Sequence, residues 1–235
     1  MKKTPRSQAI SLAEMLLLAI KKGEEYQQHL ADLAHFPTEE LILQLNTPEK
    51  KVAFWVNIYN SAFQVLAQTQ SELLAQKAKL YGGKYIQIAQ NWLSLDDIEH
   101  GILRRRKFKY GLGYIPSFFE STFIIANQVD ALDFRIHFAL NCGAVSCPPI
   151  AFYNHERLNE ELEIATQGFL EQESEWNKES NTLYISRLFL WFLGDFGGRS
   201  GIREILKTYK IIDTAKQPNL KFKDYNWALA LDNWA

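Results

Sequence analysis

Between Pro48 and about Gln68 the chain carries a helical segment that is apolar almost all the way round: Val52, Ala53, Phe54, Trp55, Val56, Ile58, Tyr59, Ala62, Phe63, Val65 and Leu66 leave almost no polar face. A helix of that kind is stable only when neighbours cover it on every side, so the rest of the chain must fold around it. Its start is marked by Thr47-Pro48-Glu49, which supplies an N-cap hydroxyl, a proline at the first helical position and an acid in the first turn.

The preceding third supplies helices for that cover. The pattern predicts helices over Gln8 to Lys22, ending at Gly23, and over Glu24 to His35, ended by Pro37, with a short third over Glu39 to Leu45. Beyond the central helix, Lys84 to Ala89 alternates as a short strand, and Ser94-Leu95-Asp96-Asp97 opens a helix to about Arg106. Phe118 to Gln128 fits helix and strand equally, Asp133 to Leu140 reads as a buried strand, and Asn141 to Pro149 as an irregular loop. Asn154 opens a helix to about Glu173, followed by a strand over Thr182 to Ile185. Helices from Ser186 to Leu193 and Gly201 to Tyr209 come next, then a closing strand over Leu220 to Leu229. Helices and short strands do not alternate as βαβ units. The expected class is therefore α+β: a helix-rich single domain over 1–235, with a central buried helix packed on a small, mainly antiparallel sheet. Residues 1–46 form its N-terminal helical segment and 47–235 its body.

Charge and cysteine usage narrow the partners. With 26 basic and 27 acidic residues the formal net charge is -1, without the diffuse positive field that non-specific nucleic-acid binding uses. The basic run Arg104, Arg105, Arg106, Lys107 and Lys109 reads as a solvated helix end, favourably placed near the C-terminal dipole. The basic N-terminus and the apolar run Met15 to Ile20 lack a cleavage site, and that run is far shorter than the roughly 20 residues that span a bilayer. A cytoplasmic protein without nucleic-acid or membrane partners is expected. Its two cysteines, Cys142 and Cys147, are then expected to be reduced thiols.

Three groups of polar residues stand where apolar ones belong. Asn57, Asn60 and Gln64, spaced by three and four, put their amides on one narrow stripe of the central helix. Such a stripe either pins an irregular loop or lines a binding cleft. At about 100° per residue, Glu99 falls between Ile102 and Leu103 on the apolar face of its helix, with His100 at the flank. A carboxylate there is paired, with Arg106 or Arg135 for instance, or carries a raised pKa. On the expected strand, Arg135, His137, Ala139 and Asn141 share one face, and the strand leads into a loop holding both sulfurs. The spacing of five among His137, Cys142 and Cys147 could suggest zinc, with His100, Glu99 or His155 as a fourth ligand. It is looser than the usual C-x(2–4)-C knuckle, so neither a metal nor another cofactor is expected.

Taken together, Phe54-Trp55-Val56-Asn57-Ile58-Tyr59-Asn60, the run from Ser94 to Arg104 and the run from His137 to Pro149 resemble the signature of the domain-of-unknown-function 547 family. Trp191 to Phe196 and Tyr225-Asn226-Trp227 resemble its C-terminal aromatic blocks, with Asn226 standing where that pattern has an acid. The resemblance spans roughly residues 50 to 230. It implies kinship with bacterial proteins and domains of plant proteins, without an agreed reaction. It also implies that Asn57, Asn60, Glu99, His100, His137 and Cys147 meet in space.

Two functions are compatible with these residues. In the first, the chain is a thiol-dependent hydrolase or acyl-transferase acting on a small-molecule, peptide-like or amide substrate. Cys147 is its nucleophile, His137 or His100 its base, and Glu99 or an asparagine orients the imidazole, with Asn57, Asn60 and Asn141 binding substrate. In the second, it is a non-catalytic ligand- or protein-binding module whose polar cluster holds the Asn141–Pro149 loop in shape. The first reading expects Cys142 to pack in the core and Cys147 to lie near an imidazole.

Overall fold

A computed structural model describes residues 7–118, 120–213 and 217–235. The basic N-terminal residues 1–6, and position 119 within the ambiguous Phe118–Gln128 segment, lie outside the described residues. Helix α1 covers Gln8–Lys22 and stops at Gly23, whose φ of +67° is the left-handed cap that glycine adopts without strain. Helices α2 (Gln27–His35) and α3 (Thr38–Gln44) follow, then α4 (Pro48–Thr69), whose Thr47 hydroxyl accepts from the Lys50 N–H at 3.3 Å. The all-round apolar pattern has its predicted consequence: α4 is buried from Val52 to Gln64. Its main partners are α1 and the segment Asp97–Leu103, together with a short 3₁₀ turn at Ser71–Ala75. The central helix therefore rests chiefly on other helices.

Helix α5 (Lys77–Gly82) leads into an antiparallel hairpin of β1 (Ile86–Ile88) and β2 (Asn91–Leu93). After α6 (Thr122–Asn127) and α7 (Leu158–Glu173) comes a three-stranded sheet. In it β3 (Glu175–Asn177) pairs antiparallel and β5 (Asn219–Phe222) parallel with the central β4 (Thr182–Ile185). Helices α8 (Leu188–Trp191) and α9 (Gly198–Thr208) lie between β4 and β5. The class is α+β, with the strands of the described residues divided between two small sheets. A second apolar cluster, centred on Phe138, Phe169, Phe189 and Phe196, joins α7, β4, α8 and α9. Among the described residues no helix is long and apolar enough to cross a membrane.

Three local expectations need correction. Phe134–Phe138 is a 3₁₀ turn instead of a strand, started by the Asp133 carboxylate, which accepts from the Arg135 N–H at 3.0 Å. Period-two faces therefore do not apply there. The closing strand ends at Phe222, and Tyr225 to Leu229 runs irregularly against the Asn141–Pro149 loop, joined to it by a β-bridge between Ala144 and Leu229 and by backbone bonds from Val145 to Ala228 and from Ser146 to Asn226. Arg104, read as part of a solvated run, is fully buried.

Candidate functional site

Ser94 and Asp97 cap one another, with the Ser94 N–H on Asp97 Oδ2 at 2.8 Å and the Asp97 N–H on Ser94 Oγ at 3.0 Å. The turn they open, Asp97–Leu103, is a π-helix: the Arg104 N–H reaches the Glu99 carbonyl five residues back at 2.8 Å. Glu99, His100 and Arg104 thus leave one wide turn together. Facing them are α4 through Tyr59, the Phe134–Phe138 turn through His137, and the segment after α8 through Phe192 and Asp195.

Asp195 is the hub of the polar part. Its Oδ2 accepts from Arg104 Nε at 2.6 Å and from His137 Nε2 at 3.0 Å, and its side chain and that of Arg104 are both solvent-free. Burial alone would raise the Asp195 carboxyl, but the hydrogen bonds from His137 and Arg104 hold it below its usual range. Arg104 Nη1 lies 2.9 Å from His100 Nδ1. A guanidinium only donates, so Nδ1 is the acceptor, and the proton of a neutral His100 sits on Nε2, which faces Asp96 at 3.5 Å. Burial lowers the pKa of both histidines, so both are neutral near pH 7.

Beside this network opens a cleft of about 380 Å³. Its polar lining includes Glu99, Asp96, Lys109, His100 and His137, and its aromatic lining Tyr59, Tyr81, Trp191, Phe192, Tyr225 and Trp227. Glu99 is largely buried and accepts from the Tyr59 hydroxyl at 3.2 Å. Its nearest imidazole nitrogen, His100 Nδ1, is 3.6 Å away and already engaged by Arg104. Burial pushes the Glu99 carboxyl up to about 7; Asp96 adds to the rise, while Arg104, Lys109 and the Tyr59 bond oppose it. Lys109 is held by both oxygens of Asp96 at 2.8 Å.

The amides expected to bind substrate serve the chain's own backbone. Asn57 exchanges two bonds with the main chain of Tyr153. Asn60 donates to the Ala139 carbonyl at 3.0 Å and accepts from the Asn141 N–H at 2.9 Å. Asn141 in turn holds Pro148 O and the Gly143 N–H, and Gln64 holds Leu231 O. None of these amides lines the cleft. They hold the Asn141–Pro149 loop and the Tyr153 segment, where buried backbone groups lack regular partners.

The sulfurs also differ from expectation. Cys142 and Cys147 form a disulfide, with Cα atoms 5.9 Å apart. They are not reduced thiols, and the accessibility order is reversed: Cys147 is buried, while Cys142 is half-buried and lines the cleft. Phe134–Phe138 is a 3₁₀ turn and the chain is irregular beyond it, so strand alternation could not orient Cys142. The Tyr225 hydroxyl lies 3.1 Å from each sulfur. The imidazoles are occupied by Arg104 and Asp195. Among the described residues no cluster of three or more His, Cys, Asp or Glu side chains could hold a metal ion.

Sequence reasoning brought Glu99, His100 and His137 to one place and missed Asp195, Arg104 and the tyrosines. The only available signal for Asp195 was its place inside the aromatic block Trp191 to Phe196. Tyr225 and Trp227 reach the cleft because Asn226 between them is tied to the loop: its N–H donates to Ser146 Oγ at 3.0 Å, and its carbonyl accepts from the Ser146 N–H at 3.3 Å.

Fold and site define a helix-rich α+β protein with an aromatic cleft beside a buried Arg–Asp–His network. The profile of the family described as "Protein of unknown function, DUF547" matches residues 42–170, more than half of the chain, and the protein belongs to that family. The match includes Glu99, His100, His137 and both cysteines, and ends before Trp191, Asp195 and Tyr225. No curated protein and no solved structure matches the chain.

Proposed function

We propose that this protein is a ligand-binding module whose cleft takes a small organic cation with an apolar or aromatic body. The observation that carries the reading is Glu99. It is a largely buried carboxylate in the cleft lining, and among the described residues no lysine or arginine nitrogen lies within 4 Å of it. The other charges are matched, Lys109 with Asp96 and Arg104 with Asp195. An ammonium group beside Glu99 supplies the missing counter-charge. Tyr81, Trp191, Tyr225 and Trp227 offer aromatic faces, which attract cations and cover apolar surface. A mostly apolar cleft with a few convergent polar groups is the usual form of a small-molecule site.

Because the ligand prefers ionised Glu99, affinity rises with pH through about 7. The test is a tryptophan-fluorescence titration with benzyltrimethylammonium, benzyl alcohol and phenylacetate, which share a ring and differ in charge. The expected result is saturable binding of the cation, tighter at pH 8 than at pH 5.5, with this gain lost in Glu99→Gln. Equal binding of all three compounds would remove the cation from the reading, and binding of none would remove the ligand site.

The hydrolase or acyl-transferase reading retains one supporting observation: Cys142, Glu99, His100 and His137 line the same cleft. It requires a reduced protein and moves the nucleophile from Cys147 to Cys142. Acyl transfer from a thioester to the reduced protein, lost in Cys142→Ser and kept in Cys147→Ser, would support it.

A further inference from the structure

We propose that the Cys142–Cys147 pair is a thiol–disulfide exchange site, with Cys142 the sulfur attacked from the cleft and Cys147 the buried leaving group. This inference uses the same cleft but does not require the cation reading.

Only one sulfur is reachable. Cys142 is half-buried and forms part of the cleft wall, whereas Cys147 is 4% exposed and absent from it. The buried sulfur is the one prepared to hold charge. Cys147 Sγ accepts the Cys142 N–H at 3.0 Å, and the Tyr225 hydroxyl, 3.1 Å from each sulfur, is free to donate to the one that becomes a thiolate, so two donors face a departing Cys147. A leaving thiolate stabilised in this way departs faster. Burial keeps the Tyr225 hydroxyl protonated far above neutral pH, so it remains a donor.

The pair also has little to do as a staple. The cysteines are five residues apart, and closing so short a loop removes less entropy from the unfolded chain than a long-range bridge would. The loop is fixed independently by Asn60 on the Asn141 N–H and by Asn141 on Pro148 O and the Gly143 N–H. Opening the S–S bond therefore leaves the frame that returns the sulfurs to each other.

The reductant is a small thiol, RSH, reacting as its thiolate. A bond forms between the incoming sulfur and Cys142 Sγ, and the Sγ–Sγ bond breaks. The electron pair leaves on Cys147 Sγ, held by the Cys142 N–H and the Tyr225 O–H. A second thiolate then attacks the external sulfur, releasing RSSR and the Cys142 thiolate. The two protons given up by the thiols end on the two cysteines. Two RSH are oxidised to RSSR, and the protein disulfide is reduced to a dithiol.

The test uses the folded wild-type protein with millimolar N-acetylcysteine. Exchange is quenched with acid, the protein is denatured and alkylated, and the adducts are located by mass spectrometry. The expected early product carries N-acetylcysteine on Cys142 and the alkyl group on Cys147. Tyr225→Phe, which removes one hydrogen bond from the leaving sulfur, should slow its formation by about tenfold. Circular dichroism is used to verify that this variant is folded. An adduct mainly on Cys147, or a disulfide that reacts only after unfolding, would overturn the assignment. An unchanged rate in folded Tyr225→Phe would remove Tyr225 from it. The quaternary-ammonium titration is read separately, so either site can fail without the other.

Discussion

Arg104 Nε donates to Asp195 Oδ2 at 2.6 Å between two side chains with no solvent exposure, joining residues 91 positions apart. The same oxygen receives His137, so the π-helical turn, the 3₁₀ turn and the segment after α8 meet on one carboxylate. An arginine removed from water in this way is tolerated only while its counter-charge is present.

Replacing that charge is the first prediction. Asp195→Asn leaves the Arg104 guanidinium uncompensated and should destabilise the fold by about 3–5 kcal/mol in a denaturant melt. A loss below about 1 kcal/mol would mean that water reaches Arg104.

Glu99 should give stability a pH dependence opposite to that of a salt-bridged acid. Its folded pKa, about 7, lies above its ordinary 4.5, so the folded state binds the proton more tightly. Its stabilising contribution is complete below pH 4.5 and is lost as pH rises through 7. Over that window the wild type should lose about 3 kcal/mol relative to Glu99→Gln, which cannot ionise. Paired melts at pH 4.5 and 8 measure the difference.

The two histidines act in the other direction. Burial depresses both folded pKa values, so their contribution is present above pH 6.5 and lost as pH falls below it. Each adds at most about 1.4 kcal/mol of destabilisation per pH unit. The slope between pH 6.5 and 5 is best read in the Glu99→Gln background, where the opposing carboxyl is absent. Adding His137→Gln should reduce that slope, and an unchanged slope would mean that His137 is protonated in the fold.

Asn60 should prove structural. Asn60→Leu leaves the Ala139 carbonyl and the Asn141 N–H buried without partners and should cost about 2–5 kcal/mol. Ligand affinity per folded molecule should remain unchanged, since Asn60 does not line the cleft. Fluorescence titration of the variant, corrected for its folded fraction, separates the two effects.

Much of the architecture was legible locally. Gly23 as a left-handed cap, Thr47-Pro48-Glu49 as a helix start and the Ser94–Asp97 mutual cap depend on neighbours in sequence, and each appears where those residues stand. Glu99 was found by helical periodicity, although its turn is wider than the α-helix assumed. Its placement survived because Ile102 and Leu103, between which it falls on that face, are buried. Phe134–Phe138 was misread because alternating apolar residues occur equally well in a tight turn once Asp133 caps it.

By itself, then, the sequence determined the central helix, the helical N-terminal third and the α+β class, because helix periodicity and caps depend on residues a few positions apart. It also determined that the amide stripe and Glu99 had to find partners, because buried polar groups require them. Which partners they found was decided by tertiary structure alone. Asn60 met the Ala139 and Asn141 backbone, Arg104 met Asp195 across 91 positions, and Tyr225 came to both sulfurs through the Asn226 contact with Ser146. Those pairings depend on how irregular segments cross in space, where no periodic pattern links the direction of a side chain to its position in the sequence.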